Sequence, residues 1–286
     1  SDININELIL LSCYIPLHRL EGIKDYKPSE KLKDLFKLQV SDYFNELLIS
    51  KKIKSVNIIK NSLSKEVEGM YKDNPYPRWN DIVLPPKLTV KEVIEYLELK
   101  LNPDDFVSLV NPDILIAGCG TGHQSIQTYS RFKNCQMIAI DLSLRSLSYA
   151  KRKSLELGFN EIEYLQCDIL DLDLLNKKFD IVECCGVLHH MSDPEIGLKK
   201  ITNRLKSDGL MKIALYSKFG WQNIVDAGLH ISNLNLSKSN EDIKLFRDYV
   251  FKNNKNFSQL LASDDFYSLS NCRDLLFHIQ VHLFNL

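Results

Sequence analysis

Short apolar runs alternate with helix signals through the middle of the chain. Five runs are typical of buried strands: residues 114–117, 136–140, 162–167, 179–185 and 210–216. Ser143 is placed to N-cap a helix that stops at Gly158, and Asp193 with Pro194 opens another helix as N-cap and first residue. Strands and helices repeat in units of roughly 25 to 30 residues, which is typical of right-handed βαβ crossovers. The pattern therefore predicts a mostly parallel α/β sheet.

The chain before the first run is predicted to be helical. Apolar residues recur at i, i+3, i+4 spacing over residues 32–48, with Ser29 as N-cap. Thr89 and Glu92 form a capping box that opens a second amphipathic helix. The apolar stretch 8–17 is too short to cross a bilayer and lacks a basic leader, so we expect a core helix there.

The chain after the fifth run predicts a helical tail. Residues 218–230 and 242–251 have helical patterns, whereas apolar residues alternate with polar ones over 277–283. There is no clear room for both strands of a C-terminal hairpin. We therefore expect a sheet that is incomplete at that hairpin, its fifth-strand edge covered by the tail or by a second copy of the chain.

Three glycines follow the first run directly: Gly118, Gly120 and Gly122. Glycine permits φ > 0 and a close approach of the backbone to a ligand. Dinucleotide-binding loops have G-x-G-x-x-G, but residue 123 is His, so the spacing favours a nucleoside with an amino-acid tail over a pyrophosphate. A purely structural turn is the alternative. Asp141, roughly 20 residues farther on at the end of the second run, favours a ligand, because nucleotide-binding sheets place a ribose-binding acid there.

The glycine loop, Asp141, Asp168 and the segment 185–188, in this order, resemble the class I S-adenosylmethionine-dependent methyltransferases over about residues 104–217. The resemblance implies a doubly wound, mostly parallel Rossmann-like sheet of strand order 3-2-1-4-5 and S-adenosyl-L-methionine as cofactor. The residues that it implies for cofactor binding are Gly118, Gly120, Gly122, Asp141, Leu142, Asp168, Ile169, Cys185 and Val187.

Each part of that set has a role in the resemblance. The glycines would approach the methionine part, Asp141 would bind both ribose hydroxyls and Leu142 would pack on the adenine. Asp168 and the Ile169 N–H would bind the adenine edge, and the segment 185–188 would form the floor below the methyl group. Two alternatives stay open: Asp141 as an acid that complements a helix dipole, and Asp168 as a solvated strand end. Many family members have an acid where this chain has Ile116.

His190 and His189 are the candidate catalytic residues. They follow the fourth strand, where a base would stand if the acceptor must lose a proton, and imidazole titrates in the useful range. Capping and packing roles are the alternatives. Cys184 and Cys185 raise two others, a thiolate that attacks a pyrimidine and a zinc site with the histidines. Neither is favoured, because a Pro-Cys pair is missing and adjacent cysteines rarely share one metal.

Residues 71–79, Tyr-Lys-Asp-Asn-Pro-Tyr-Pro-Arg-Trp, combine two prolines with bulky aromatic residues. Such a strip suits a lid over a ligand and equally a plug between the helices and the sheet. This segment and residues 13–20 carry a narrower resemblance, to the methyltransferase domains that follow tetratricopeptide repeats in bacterial proteins.

Composition indicates no polyanionic partner. The 286 residues have a formal net charge of −1, and no basic stripe interleaved with aromatic residues is present. Seven cysteines without a Cys-x-x-Cys motif fit buried reduced thiols. We expect a cytoplasmic protein with neither a nucleic-acid nor a membrane partner. The first residues, Ser-Asp without Met, suggest a piece of a longer protein, with self-association or an adjoining domain as possible contacts.

Together these features predict a methyltransferase that uses S-adenosylmethionine and an unidentified acceptor, a small molecule or a protein. The expected organisation is a helical region over residues 1–103, a cofactor-binding domain over 104–217 and a mainly helical cover over 218–286. A non-catalytic cofactor-binding scaffold and an NAD-dependent oxidoreductase are the alternatives, and the glycine spacing argues against the latter.

Overall fold

The chain forms two compact units, residues 1–53 and 54–286, in a computed structural model that describes residues 4–73 and 75–285. Asn74, inside the segment with the lid-like sequence, lies outside the described residues. Each unit has its own core. The division predicted on functional grounds, with boundaries at residues 103 and 217, stays a prediction.

The N-terminal unit contains three α-helices. They are α1 (Ile5–Ser12), α2 (Lys33–Phe36) and α3 (Asp42–Ser50), the last two joined by a π-helical turn over Lys37–Ser41. Their core contains Leu8, Leu17, Leu32, Phe36 and Val40. The helix predicted from residue 32 is present, and its apolar face is confirmed up to Val40; in α3 Asp42 and Glu46 are buried whereas Leu48 is exposed, so the predicted face is wrong there. The prediction of a core helix over residues 8–17 is wrong in part, because Leu8 and Leu17 are buried whereas the apolar side chains between them are exposed.

The second unit contains a six-stranded sheet in which every strand pair is parallel. The strands are β1 (Lys54–Ser55), β2 (Asp113–Ala117), β3 (Gln136–Asp141), β4 (Glu163–Gln166), β5 (Phe179–Cys185) and β6 (Leu205–Ala214). Their spatial order is β1-β4-β3-β2-β5-β6. The strands β2 to β6 therefore have the expected order 3-2-1-4-5. The sequence did not predict β1, because its two residues are polar and exposed.

Strand β6 begins earlier than predicted. Phe179 pairs with Leu205, but Ile181 pairs with Leu210, so three extra residues form a bulge in β6. Lys206 in this bulge donates to Asp180 Oδ2 at 2.9 Å. The bulge consists of residues 206–209, which lie just before the predicted run 210–216. Gly209 fits it because a Cβ there would lie 3.0 Å from the Asp180 carbonyl oxygen.

Nine helices of the second unit are described. They are α4 (Ser62–Asp73), α5 (Val90–Tyr96), α6 (His123–Arg131), α7 (Leu144–Glu156), α8 (Pro194–Thr202), α9 (Gln222–Asn233), α10 (Asn240–Lys252), α11 (Ser258–Leu261) and α12 (Leu269–Leu276). The caps predicted at Ser143 and Asp193 are present: Ser143 accepts from the Ser146 N–H at 3.2 Å, and Asp193 accepts from the Glu195 N–H at 2.9 Å. The cap predicted at Ser29 in the N-terminal unit is wrong, because its side chain makes no capping hydrogen bond. None of the helices within the described ranges has the length and apolar character needed to cross a membrane.

The C-terminal tail runs beside the end of β6. The Phe284 N–H donates to the Tyr216 carbonyl at 3.0 Å, and the Lys218 N–H donates to the Phe284 carbonyl at 2.9 Å. The described residues after β6 contain no further strand, only this parallel bridge. The expectation of a sheet without its terminal hairpin is therefore confirmed for the described part of the chain. Up to residue 285, the tail bridges the chain only at Ser217, beyond the end of β6, so the covering of the β6 edge by the tail or by a second copy stays a prediction. The alternating pattern over 277–283 gives one bridge and no regular strand.

Candidate functional site

A cavity of about 360 Å³ opens at the carboxyl ends of the parallel strands. Ligands of open α/β sheets bind at this edge, and the volume lies in the range of small-molecule sites. The predicted site residues that line the cavity are Gly118, Gly120, Asp141, Leu142, Asp168, Ile169, Cys185, Val187 and His190. Two predicted site residues, Gly122 and His189, lie outside its walls.

The glycine loop has φ values that L side chains rarely adopt: +77° at Gly118, +51° at Gly120 and +85° at Gly122. A Cβ at Gly118 would lie 2.3 Å from Val187 Cγ2 on the cavity floor. A Cβ at Gly122 would lie 2.5 Å from the Ala150 Cβ, so the third glycine permits α7 to pack closely. The first two glycines thus shape the cavity, whereas the geometry gives Gly122 a packing role.

Asp141, the last residue of β3, is held rigidly beside the glycine loop. Its Oδ2 accepts from the Gly120 N–H at 2.8 Å, and its Oδ1 accepts from the Ser143 N–H at 2.8 Å. Burial raises the pKa of this carboxyl group, and these backbone hydrogen bonds oppose the shift. Because a carboxylate oxygen accepts more than one hydrogen bond, both oxygens retain capacity for ligand hydroxyls. Ser143 already caps α7, so the helix needs no second cap from Asp141.

Asp168 follows β4 and begins the next turn. Its Oδ1 accepts from the Leu170 N–H at 3.0 Å, which fixes the carboxylate at the start of the 3₁₀ segment Ile169–Leu175. The residue is 5% exposed. It is therefore an ordered, buried acid rather than a solvated strand end, and Ile169 beside it also lines the cavity.

Residues 77–79 of the aromatic and proline-rich segment lie against the glycine loop. The Thr121 hydroxyl donates to the Pro77 carbonyl, the Trp79 Nε1–H donates to the Thr121 carbonyl at 3.2 Å, and the Tyr149 hydroxyl donates to the Trp79 carbonyl. At the same time Tyr71, Tyr76 and Pro77 line the cavity. The described part of the segment thus lines the cavity and is anchored to the glycine loop and to α7, and the roles of lid and plug stay predictions.

His190 and His189 belong to a cluster of neutral rings. The His190 Nδ1 lies 2.8 Å from the Gln280 carbonyl oxygen, which can only accept, so Nδ1 carries the hydrogen. The His190 Nε2 lies 3.1 Å from His189 Nε2 and therefore accepts from it. Burial lowers the pKa of His190 to about 4 and that of His189 to about 3. His190 is the histidine of the pair that reaches the cavity, and the roles of both as bases stay predictions.

The two cysteines of the fourth run are neutral thiols. Burial raises the pKa of Cys184 to about 12 and also raises that of Cys185. A thiolate nucleophile needs the opposite shift. Among the described residues, no three His, Cys, Asp or Glu side chains are grouped to hold a metal ion. Neither cysteine alternative gains support.

Three cavity residues from the C-terminal part were not predicted: Tyr216 after β6, Asp274 in α12 and His278 after it. The Tyr71 hydroxyl donates to Asp274 Oδ1 and lies 3.4 Å from His278 Nε2. Burial raises the pKa of Asp274 to about 7. The only signal in the sequence was a single acid within an amphipathic helix, where a solvent-facing position is the usual expectation.

Comparison with known proteins gives one family. Residues 111–264, more than half of the chain, match the family model described as a methyltransferase domain.

Curated relatives match over shorter parts of their own length. An uncharacterized protein, syc1184_c of a Synechococcus strain, is 30% identical over 59% of this chain and 42% of its own. The (S)-coclaurine N-methyltransferase of Papaver somniferum is 30% identical over 34% of this chain and 28% of its own. The malonyl-[acyl-carrier protein] O-methyltransferase of Acetivibrio thermocellus is 32% identical over 38% and 36%. This chain therefore spans less than half of each of these three relatives.

A solved structure shares the fold. The structure of PKMT2 from Rickettsia typhi has a TM-score of 0.50 and 21% identity, and the match covers 71% of this chain and 42% of that one.

Proposed function

This chain belongs to the methyltransferase-domain family, and from that premise we propose that its cavity aligns a cofactor held at the glycine loop with an acceptor bound beneath residues 71–79. The protein is thus an S-adenosylmethionine-dependent methyltransferase with a Rossmann-like fold. The observation that carries the proposal is the position of Asp141. This buried carboxylate is fixed against the Gly120 N–H and faces the same cavity as the glycine loop.

The residues at the strand ends fit S-adenosylmethionine. Asp141 has spare acceptor capacity for two ribose hydroxyls, and Leu142 beside it offers an apolar surface for the adenine. Asp168 and Ile169 line the same cavity, and the Asp168 carboxylate and the Ile169 N–H would bind the adenine edge. The floor at Val187 is held close to the loop because Gly118 has no Cβ. Charge-assisted bonds from hydroxyls to a carboxylate are worth about 1.5–3 kcal/mol each.

When bound, S-adenosylmethionine supplies a sulfonium methyl group: the acceptor's lone pair forms a bond to the methyl carbon as the methyl–sulfur bond breaks and leaves its electron pair on sulfur. The protein's part is positional. Alignment of reacting atoms accounts for about 7–11 kcal/mol in such reactions. Tyr76 and Pro77 close the cavity over the loop, and the hydrogen bonds of Thr121 and Trp79 keep that cover in place.

The acceptor is a small molecule or a protein side chain. Relatives named for N-methylation and for O-methylation are similarly distant from this chain, so their names do not choose the atom. His190 forms the wall beside the acceptor space. It can serve as a base only if its Nε2 is released from the His189 Nε2–H. The narrower resemblance, to domains that follow tetratricopeptide repeats, stays a prediction.

A calorimetric titration tests the proposal against its two alternatives. We expect S-adenosylhomocysteine to bind with measurable heat and NAD to give none, because the loop lacks the dinucleotide spacing. Heat from NAD alone would support an oxidoreductase. Tight binding of S-adenosylhomocysteine without methyl transfer to any acceptor tried would support a scaffold. Absence of binding by either compound would refute the cofactor site.

A further inference from the structure

The charged side chains that line the cavity all have the same sign. Among the described lining residues they are Asp141, Asp168 and Asp274, and the lining contains neither a Lys nor an Arg. Asp141 and Asp168 stand at the strand ends, where the proposed function places the cofactor. Asp274 projects from α12, in the C-terminal part of the chain, and the cofactor assignment leaves it without a role.

A charged Asp274 is energetically unfavourable at this buried position. It is 8% exposed, and its Oδ1 accepts from the Tyr71 hydroxyl. Burial and the nearby Asp265 raise the pKa of the Asp274 carboxyl group to about 7. His278 and His190 cannot balance its charge at neutral pH, because burial lowers their pKa values to about 3 and about 4. Burying a carboxylate that has no cationic partner is energetically unfavourable, unless a bound ligand supplies the cation.

The walls around Asp274 suit a cation as well. Tyr71, Tyr76 and Tyr216 line this part of the cavity. The ring of Tyr216 stacks on His189 and on Trp221, so the aromatic faces open to a ligand are those of Tyr71 and Tyr76. Aromatic faces attract ammonium groups, and methylated ammonium ions are bound by such aromatic walls. An acceptor with a carboxylate would meet Asp274 and, among the described lining residues, neither a Lys nor an Arg. The cavity therefore selects by charge.

We propose that Asp274, flanked by Tyr71 and Tyr76, binds the protonated amine of the methyl acceptor, so that the enzyme is an amine N-methyltransferase. This inference rests on the proposed function. The bound ammonium group donates one proton to the Asp274 carboxylate, which leaves a neutral Asp274 and a nitrogen lone pair free to take the methyl group. The product is again an ammonium ion and leaves with its charge. Asp274 is the residue that recognises the acceptor and accepts its proton.

The experiment uses the whole chain saturated with S-adenosylhomocysteine and four probes. Three are matched on one phenyl ring: benzylamine, phenylacetate and benzyl alcohol. The fourth, Nα-acetyl-lysine amide, separates a protein side chain from a small-molecule amine. We expect calorimetry to show at least one amine binding tenfold or more tightly than phenylacetate and benzyl alcohol. Methyl transfer from S-adenosylmethionine carrying a tritiated methyl group should follow the same order.

Asp274→Asn provides the matched variant, because it keeps the shape and can still accept from Tyr71. We expect it to lose amine affinity at least tenfold and to keep its affinity for S-adenosylhomocysteine, which also shows that it is folded. Asp264→Asn, which removes an exposed charge nearby, should behave like the unmodified protein. If Asp274→Asn fails to fold, the probe order in the unmodified protein still decides.

Four results would overturn the inference while the proposed function stands. Two concern the unmodified protein: phenylacetate or benzyl alcohol binds as tightly as the amines or more tightly, or no probe binds to the loaded protein. Two concern folded Asp274→Asn: its affinity for amines is unchanged, or it loses affinity for S-adenosylmethionine but not for S-adenosylhomocysteine. The last result would assign Asp274 to the sulfonium. Failure of S-adenosylhomocysteine to bind at all would instead refute the proposed function.

Discussion

Replacing Asp274 by Asn should change how stability depends on pH. The carboxyl group has a pKa of about 7 in the folded chain, because it is buried, and an ordinary value of about 3.9 when unfolded. The folded state therefore holds a proton that the unfolded state releases. Stability from this proton is fully present below about pH 4 and is lost as pH rises to about 7.

The size of the effect follows from the two pKa values. They differ by about three, which corresponds to about 4 kcal/mol over the whole window. Between pH 5 and pH 8 the expected loss from Asp274 is about 2.5 kcal/mol in the free energy of unfolding. His190 and His278 act in the opposite direction, because their pKa values are lowered and their contribution is lost as pH falls. Both proteins contain these histidines, so the difference between the proteins isolates Asp274.

Urea unfolding at several pH values provides the measurement. Between pH 5 and pH 8 we expect the free energy of unfolding of Asp274→Asn to rise by about 2–3 kcal/mol relative to that of the unmodified protein, with equal m values. Asp264→Asn, an exposed acid, serves as the control and should show no such gain. A difference that is flat with pH would mean that Asp274 titrates normally when folded. The argument from its burial would then be refuted.

Three other substitutions test the site. Asp141→Ala should weaken S-adenosylhomocysteine binding by about 2–4 kcal/mol through two lost charge-assisted bonds, measured by calorimetry; unchanged affinity would leave Asp141 a structural acid. Gly118→Ala should abolish cofactor binding, because its Cβ would lie 2.3 Å from Val187 Cγ2. The control Gly158→Ala has a φ of +80° but open space around it, so it should lower the free energy of unfolding by about 1 kcal/mol, measured by thermal unfolding, and leave cofactor binding unchanged. Equal behaviour of the two variants would contradict this reasoning. His190→Asn should keep methyl transfer within about tenfold, because its Nε2 is already bonded to His189; a loss of 100-fold or more would establish the base predicted from the sequence.

Local signals in the sequence predicted most of the fold. The capping box is present, with the Glu92 N–H donating to Thr89 Oγ1 at 3.2 Å, and the caps at Ser143 and Asp193 are formed as expected. Such signals act within one turn of helix, so they can be recognised without tertiary structure. Strand β1 carried no signal, because it consists of two polar, exposed residues and lacks the apolar run by which the other strands were recognised.

The cofactor half of the cavity could also be predicted from the sequence, because the glycine loop and Asp141 directly follow predicted strands. The acceptor half was not. Tyr71 and Asp274 are separated by about 200 residues, yet they form one hydrogen bond. No residue close to either of them in the sequence indicates that the two side chains meet. Long-range packing of α12 against Tyr71 brings them together, and α12 itself was not among the helices predicted for the tail.

A crystal structure with S-adenosylhomocysteine tests the central assignment most directly. We predict that the nucleoside lies in the cavity with both ribose hydroxyls within hydrogen-bond distance of Asp141 and the adenine beside Leu142 and Asp168. The sulfur should point toward the space bounded by Tyr71 and Asp274. A nucleoside bound elsewhere, or one whose ribose leaves Asp141 bonded only to Gly120 and Ser143, would contradict the account.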